Sequence, residues 1–544
     1  MHRISLLSPD ENSRYFSLSD TAANDLGIAY LAEQVSESSA EHKCIQRILL
    51  KMPAEARTVR YRREIYNELR EDEPFSRELF KVFDSLRFSF NDRPISIGGN
   101  ATIWELLQRF RSLEHYIHSV TLLRDLIAGR EFRSEGLRRF AEYVHLLSDQ
   151  SGYDALQEDI AALGEDVTRI RSITIGVNLT PDFYPRQAGI VSLNTTFFDQ
   201  QSVLKRFMAY HRKDQISDRV LDPFTMEVHH DGVDWVDKHF YGVQTPVRAS
   251  DSVLMNNLTS IIERMLPTLT GKLHKVLDKY VDFSGRALAG LADEMLFYLR
   301  FISLEKKLTA FGLPCCLAEE SAGDTLLKDF YNVKLAVTHM QKQSKEAIVC
   351  NDISFTNAKT VQILTGPNRG GKTILTQGIG LAFLLYQSGV FVPASSAKIR
   401  ICDGIYTHFP VEEERTVTLG RLGEEAERFR EICRAATGDS LLLFNESFAT
   451  TSHTESLYIA EDVLKYLCCL GARTCFNTHM HELAENCERL SESEHAVCKA
   501  ASLVMENDEH NRYRISCRKP DGKSYAYVIA QKYGITFEQL SELL

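Results

Sequence analysis

Residues Gly366, Pro367, Asn368, Arg369, Gly370, Gly371, Lys372 and Thr373 run directly on from an apolar stretch that begins at Val361. Their spacing, Gly-x-x-x-x-Gly-Lys-Thr between a short strand and a helical run, is that of a loop that cradles the phosphates of a nucleoside triphosphate. The chemistry accounts for the residue types. Glycines let backbone N–H groups turn inward onto phosphate oxygens, the Lys372 ammonium reaches the β and γ oxygens, and the Thr373 hydroxyl ligates Mg²⁺. The helix that follows points its positive end at the same anion. A glycine-rich turn without a ligand shares the bare pattern. The strand before it and the helix after it favour a nucleotide site, with ATP and Mg²⁺ as the expected ligands.

Two further strings end on groups able to act on a bound triphosphate. Leu441, Leu442, Leu443 and Phe444 form an apolar strand that ends in Asn445 and Glu446. A glutamate placed after four apolar strand residues is a candidate for orienting an attacking water rather than an ordinary exposed acid. Thr478, His479, Met480, His481 and Glu482 follow a second apolar strand. The His-x-His pair also suggests a metal, but no third ligand stands at suitable spacing.

Together these strings carry a resemblance. In the stretch from Asn351 to Pro393, in LLLFNESFATTS (Leu441 to Ser452), in TCFNTHMHELAE (Thr474 to Glu485), and in Lys523, Ser524, Tyr525 and Ala526 with the tail to Leu544, the chain resembles the ATPase domain of the MutS DNA mismatch repair proteins. The resemblance implies an ABC-type P-loop ATPase domain over 336–544 that ends in a helix-turn-helix-like dimerisation element, and hence a homodimer. It implies catalytic roles for Glu446, which would position water, and for His479, which would sense the γ-phosphate. Gly366, Pro367, Asn368, Gly370, Gly371, Lys372 and Thr373 would bind the nucleotide. Thr373 would ligate Mg²⁺ directly and Asn445 would reach it through a water.

The sequence also departs from the family pattern. Asn445 stands where the family has aspartate. Its amide oxygen still accepts a hydrogen bond from a metal-bound water but lacks the negative charge that favours a hard cation. Nucleotide binding is therefore expected to survive and turnover to be slow. The family's glycines are replaced in Ser447, Phe448, Ala449 and Thr450, although Thr451 and Ser452 keep its Thr-Ser. In Thr418–Glu424, the segment corresponding to the loop that acts across the dimer, the expected serine is absent. Arg421 is a candidate cation for the γ-phosphate held by the opposite subunit, with a solvated loop arginine as the alternative. Mismatch-reading members carry an N-terminal α/β domain whose Phe-x-Glu motif wedges an aromatic ring into bent DNA. Here Phe-x-Glu occurs at Phe140–Glu142, Phe429–Glu431 and Phe444–Glu446, twice in helical patterns and once in the acidic strand. The chain is therefore expected to lack that domain.

The elements that must hold these residues are legible in outline. With 544 residues the chain has room for several domains. Ile103, Leu106, Leu107, Phe110, Leu113, Ile117 and Val120 fall at helical spacing. So do Leu258, Met265, Leu269, Leu273, Val276 and Tyr280, divided at Pro267, and Leu291, Met295, Tyr298, Phe301, Ile302 and Leu308. Between the first two patterns, Ile173, Ile175, Val177 and Leu179 alternate as a strand that the run from Gly189 to Leu193 is placed to pair with. The expected fold is multidomain, α and α/β. A mostly helical core region (1–98) leads to a long-helix region (99–335) with a β insertion near 171–250, which resembles the family's lever/clamp arm, and the P-loop ATPase domain completes the chain.

Composition narrows the function classes. A net charge of −11 excludes a surface that is basic throughout, so nucleic-acid contact must come from local patches. Arg130, Arg133, Arg138 and Arg139 form one cluster, and Lys205, Arg206, Arg212 and Lys213 another, though solvated helix faces look the same. The twelve cysteines include no CxxC pair and read as reduced thiols. Neither a signal peptide nor a membrane span is expected, and the expected location is cytoplasmic. The function that the resemblance implies is an ATPase whose nucleotide state moves a clamp on double-stranded DNA, in mismatch repair or related DNA maintenance. The alternatives are a nucleotide-gated clamp that does not hydrolyse, and a factor acting on branched DNA or on ribosomes.

Overall fold

The computed structural model of the chain describes residues 4–89, 101–168, 172–179, 181–182, 185–194, 266–280, 283, 286–344, 346–367, 371–410, 421–448, 453–506, 512–520, 531 and 533–541. They fall into two compact units. One joins Met1–Phe83, Gly129–Glu142 and Gly290–Leu544, and the other joins Asp84–Ala128 and Tyr143–Ala289.

The chain opens with strand β1 (Tyr15–Ser17), helices α1 (Asp20–Leu26), α2 (Ile28–Val35) and α3 (Ser39–Leu50), strand β2 (Lys51–Pro53), antiparallel to β1, and helices α4 (Ala56–Glu71) and α5 (Glu73–Ser89). Ser19 caps α1 by accepting the Ala22 N–H, and Gly27, at φ +70°, ends it in the left-handed conformation. Helix α6 (Ile103–Ile127) starts with a capping box between Thr102 and Glu105. Along it Ile103, Leu106, Phe110, Leu113 and Val120 are buried, as their spacing predicts, while Leu107 and Ile117 are half-buried and Tyr116 is buried. Helices α7 (Glu135–Ser148) and α8 (Tyr153–Thr168) follow, then strands β3 (Ser172–Leu179) and β4 (Pro185–Asn194). These pair antiparallel, with Ile173 opposite Leu193 and Gly176 opposite Gly189, which is the pairing the alternation predicts. Helix α9 (Pro267–Leu277) begins at Pro267, where the missing N–H costs nothing. In helix α10 (Arg286–Ala310), Leu291, Met295, Tyr298, Phe301, Ile302 and Leu308 are all buried.

Beyond α10 come strands β5 (Glu319–Glu320) and β6 (Thr325–Phe330), helix α11 (Val333–Gln341), strands β7 (Asn351–Phe355) and β8 (Val361–Thr365), helix α12 (Lys372–Gln387) and strands β9 (Ser396–Ile399) and β10 (Ile405–His408). Next are helix α13 (Arg421–Ala435), strand β11 (Leu441–Asn445), helix α14 (His453–Leu470), strand β12 (Arg473–Asn477), helix α15 (His481–Glu485), strands β13 (Ala500–Met505) and β14 (Ile515–Ser516) and helix α16 (Phe537–Ser541). A four-stranded sheet runs β5-β9-β6-β7 and a six-stranded sheet β10-β11-β12-β8-β13-β14, with β14 the one antiparallel member.

Parallel strands covered on both faces read as continuous apolar runs, and β8, β11 and β12 are buried at every position. Val361, Ile363, Leu442 and Phe444 pack with Ala460, Leu464 and Leu467 of α14. Leu443, on the alternate face, meets α12 so closely that a Cβ at Gly380 would lie 2.7 Å from its Cδ1. Truncating such a core leucine to alanine costs about 2–5 kcal/mol. The N-terminal helices join this body. The Gln377 side chain donates to the Asp25 carbonyl at 2.7 Å, and Gln387 donates to the Pro53 carbonyl at 2.7 Å.

Candidate nucleotide site

In a parallel sheet every strand ends on the same edge, and loops at that edge are where open α/β folds bind ligands. Here the ends of β8, β11, β12 and β13 bring together Gly366, Asn445, Asn477 and Met505. Gly366 has φ +142°, and an added Cβ would meet the Met505 carbonyl oxygen at 2.7 Å, so only glycine lets the chain leave β8 here. Gly371, at φ +86°, is the residue before the first turn of α12.

Lys372 is buried, and its Nζ donates to the carbonyls of Gly366 (3.0 Å) and Pro367 (3.1 Å). Burial pushes this ammonium down to about 8, against the opposing pull of Glu446. The Thr373 hydroxyl donates to Asn445 Oδ1 at 3.0 Å. The Asn477 amide donates to the same oxygen. Glu446 Oε1 lies 2.9 Å from His479 Nε2, and that hydrogen bond, helped by the charge of Lys372, holds the carboxyl below its usual range despite partial burial. Gly366, Pro367, Gly371, Lys372, Thr373, Asn445, Glu446 and His479 thus converge on one edge. Asn368 and Gly370 lie outside the described residues. So do Thr418, Leu419 and Gly420, Ala449–Ser452, Lys523–Ala526 and the cluster Lys205–Lys213.

Glu446 and Phe448 have φ of +52° and +65°, values that ordinary side chains adopt only when the surroundings over-determine them. The surroundings are specific. The Glu446 N–H donates to the Asn477 carbonyl at 2.8 Å and the Phe448 N–H to Glu425 Oε2 at 3.0 Å. The buried His408 ring stacks on Phe448 at 5.9 Å and bonds Ser447 Oγ at 2.7 Å and the Glu425 carbonyl at 3.2 Å. A carbonyl only accepts, so Nε2 carries the proton and Nδ1 accepts from Ser447. Burial and, second, the Arg428 guanidinium push the imidazole down to about 4. The unfolded chain takes up this proton from about pH 6.5. Between those values the unfolded state binds more protons, so stability is lost as pH falls, by up to about 3 kcal/mol. His408→Phe should flatten that part of a profile of unfolding midpoint against pH. An unchanged profile would contradict a buried neutral imidazole.

Beside the loop opens a cavity of about 400 Å³ lined by Tyr331, Asn332, His339, Ile348, Lys372 and Tyr513, among others. Asn351 fixes Tyr513 there, donating to the Tyr513 carbonyl at 3.1 Å and accepting from the Ile515 N–H at 2.8 Å. The described residues fit a nucleotide with Mg²⁺: glycines at positive φ at 366 and 371, a buried ammonium on the Gly366 and Pro367 carbonyls, and a hydroxyl held by an oxygen acceptor.

Sequence reasoning missed Asn477, Tyr513 and His408. The signal for Asn477 is slight, since β12 reads Arg-Thr-Cys-Phe-Asn; its register opposite Asn445 is what marks it. Nothing in the local sequence marks Tyr513. The three Phe-x-Glu phenylalanines are core residues, with Phe140 at 5.9 Å from Phe83 and Phe429 at 5.4 Å from Phe444. The arginine cluster is largely engaged: Arg130 pairs with Asp72, Arg133 with Glu71 and Arg139 with Glu135. Among the described residues no helix is long and apolar enough to cross a membrane.

Comparison with known proteins gives the same residues a lineage. The family model of MutS domain V matches residues 362–541. The chain is 34% identical over 200 residues to the DNA mismatch repair protein MutS of Chlorobium chlorochromatii, covering 36% of this chain and 22% of that protein. It is 31% identical over 153 residues to the DNA mismatch repair protein MutS 2 of Halobacterium salinarum, covering 28% and 18%. Against MutS of Leptospira interrogans the identity is 39% over 132 residues, covering 24% and 16%. The chain thus spans about a fifth of the length of the curated relatives it matches.

Proposed function

The chain belongs to the MutS family, and from that premise we propose that it is an ATPase whose nucleotide state moves a clamp on double-stranded DNA, in mismatch repair or a related maintenance process. One observation supports this most: Lys372, the Thr373–Asn445 pair and the Glu446–His479 pair converge at the carboxyl edge of β8, β11 and β12. In this reading Gly366, Pro367, Asn368, Gly370, Gly371 and Lys372 hold the phosphates. Thr373 and, through a water, Asn445 would hold Mg²⁺, which supplies neutralising charge to the phosphates when bound. Glu446, kept ionised by His479, accepts a hydrogen bond from the attacking water and aims it. His479 would sense the γ-phosphate. The tail to Leu544 makes a homodimer, and the location is cytoplasmic.

Steady-state phosphate release with and without duplex DNA tests the reading; a rate that Glu446→Ala leaves unchanged would contradict it. Asn445 favours a second reading, a clamp that binds ATP without hydrolysing it. In that case ATP changes DNA affinity while no phosphate is released. DNA binding in either reading goes through backbone phosphates and should weaken steeply between 50 and 200 mM salt, by about 10³-fold or more if six phosphates are contacted. Salt-independent affinity would remove the phosphate-contact reading.

A further inference from the structure

The turn Glu446–Phe448 is built from two residues at positive φ, and no glycine relieves it. Its conformation therefore depends on what grips it. Four grips are present. Asn477 holds the Glu446 N–H, His408 holds the Ser447 hydroxyl, the Glu425 carboxylate holds the Phe448 N–H at 3.0 Å, and Ser456 Oγ donates to the Phe448 carbonyl at 2.6 Å. His408 joins two of these. Its Nδ1 accepts from Ser447, its Nε2 donates to the backbone of Glu425, and its ring lies against Phe448, Phe444 and Phe429 at 5.9, 6.3 and 6.4 Å. The imidazole is thus a bracket between α13 and the turn that carries Glu446.

We infer that His408, with Ser447, is a positioning residue for Glu446, holding the turn in the one conformation that keeps the carboxylate beside His479 and facing Lys372. His408 touches neither nucleotide nor water; it acts through Ser447 and Phe448. The inference rests on the reading of Glu446 as the group that aims the attacking water. A carboxylate displaced by about 1 Å loses up to about 100-fold in rate while ground-state binding is unaffected, so the signature is a loss in kcat with KM preserved. The α13 helix carries Glu425, so a movement of that helix would reach Glu446 through the same bracket.

The test compares His408→Phe, His408→Asn and Ser447→Ala in the full chain. His408→Phe keeps the ring stacking and removes both ring hydrogen bonds, leaving Ser447 Oγ only its 3.3 Å bond to the carbonyl of residue 408. His408→Asn retains an acceptor for Ser447. In His408→Phe, kcat for ATP should fall about 10- to 100-fold, with KM within about twofold and with faster amide exchange confined to 446–448. His408→Asn should recover part of the loss. Ser447→Ala should lower kcat alone but add little in the His408→Phe background, because both changes break one linkage. Wild-type kcat in His408→Phe, or equal impairment of the asparagine and phenylalanine variants, overturns the inference. If His408→Phe melts too low to assay, Ser447→Ala, which deletes a single hydroxyl, carries the test by the same kcat and KM split. If Glu446→Ala leaves wild-type turnover intact, the reading of Glu446 fails instead. Exchange at 446–448 then decides the bracket alone: faster exchange in His408→Phe supports it and unchanged exchange overturns it.

Discussion

Lys372→Ala is expected to lower ATP affinity by about 100-fold or more, the loss that follows from deleting a charge-assisted hydrogen-bond donor worth about 3 kcal/mol. The wild-type side chain is buried and spans the Gly366 and Pro367 carbonyls, so the loop is preorganised around an ammonium. A bound triphosphate favours the charged form of Lys372, whose proton is otherwise lost at about 8. The sign follows: ATP affinity is full below that pH and falls as pH rises through it. Titration of a fluorescent ATP analogue at pH 7 and 9 measures both effects. Equal affinity in wild type and variant would remove the assignment of the loop.

The second large effect lies at the end of β11. Glu446→Ala should lower turnover by about 10²–10⁴-fold, the range for a positioned proton acceptor. Asn445→Asp should raise it about tenfold and tighten its Mg²⁺ dependence. Asn445 Oδ1 already accepts from Thr373 and Asn477. An aspartate keeps that oxygen and replaces the amide NH₂ by a second, negatively charged one, which a hard cation and its waters favour. Phosphate release against Mg²⁺ concentration reads out both variants. Asn445→Asp with an unchanged rate and unchanged Mg²⁺ midpoint would show that position 445 does not govern the metal.

The sequence by itself determined whatever depends on neighbours in the chain. The glycine spacing of 366–371, the apolar runs of β8 and β11, the alternation of β3 and β4 and the stripes of α6 and α10 are local patterns, and local patterns specify elements directly. Tertiary structure alone decided which elements are adjacent. That Asn477 supports Asn445 follows from β12 pairing in register with β11. The pinning of Tyr513 beside Gly371 follows from β14 closing the sheet edge and from Asn351 reaching across to it. No spacing rule links His408 to Ser447 or Arg130 to Asp72, because those pairs are created by packing. The arginine run, which in one dimension reads as a phosphate-binding patch or a solvated helix face, has carboxylate partners in three for Arg130, Arg133 and Arg139. A charge is visible in a sequence, but its partner is set by the fold, which brings distant segments within reach.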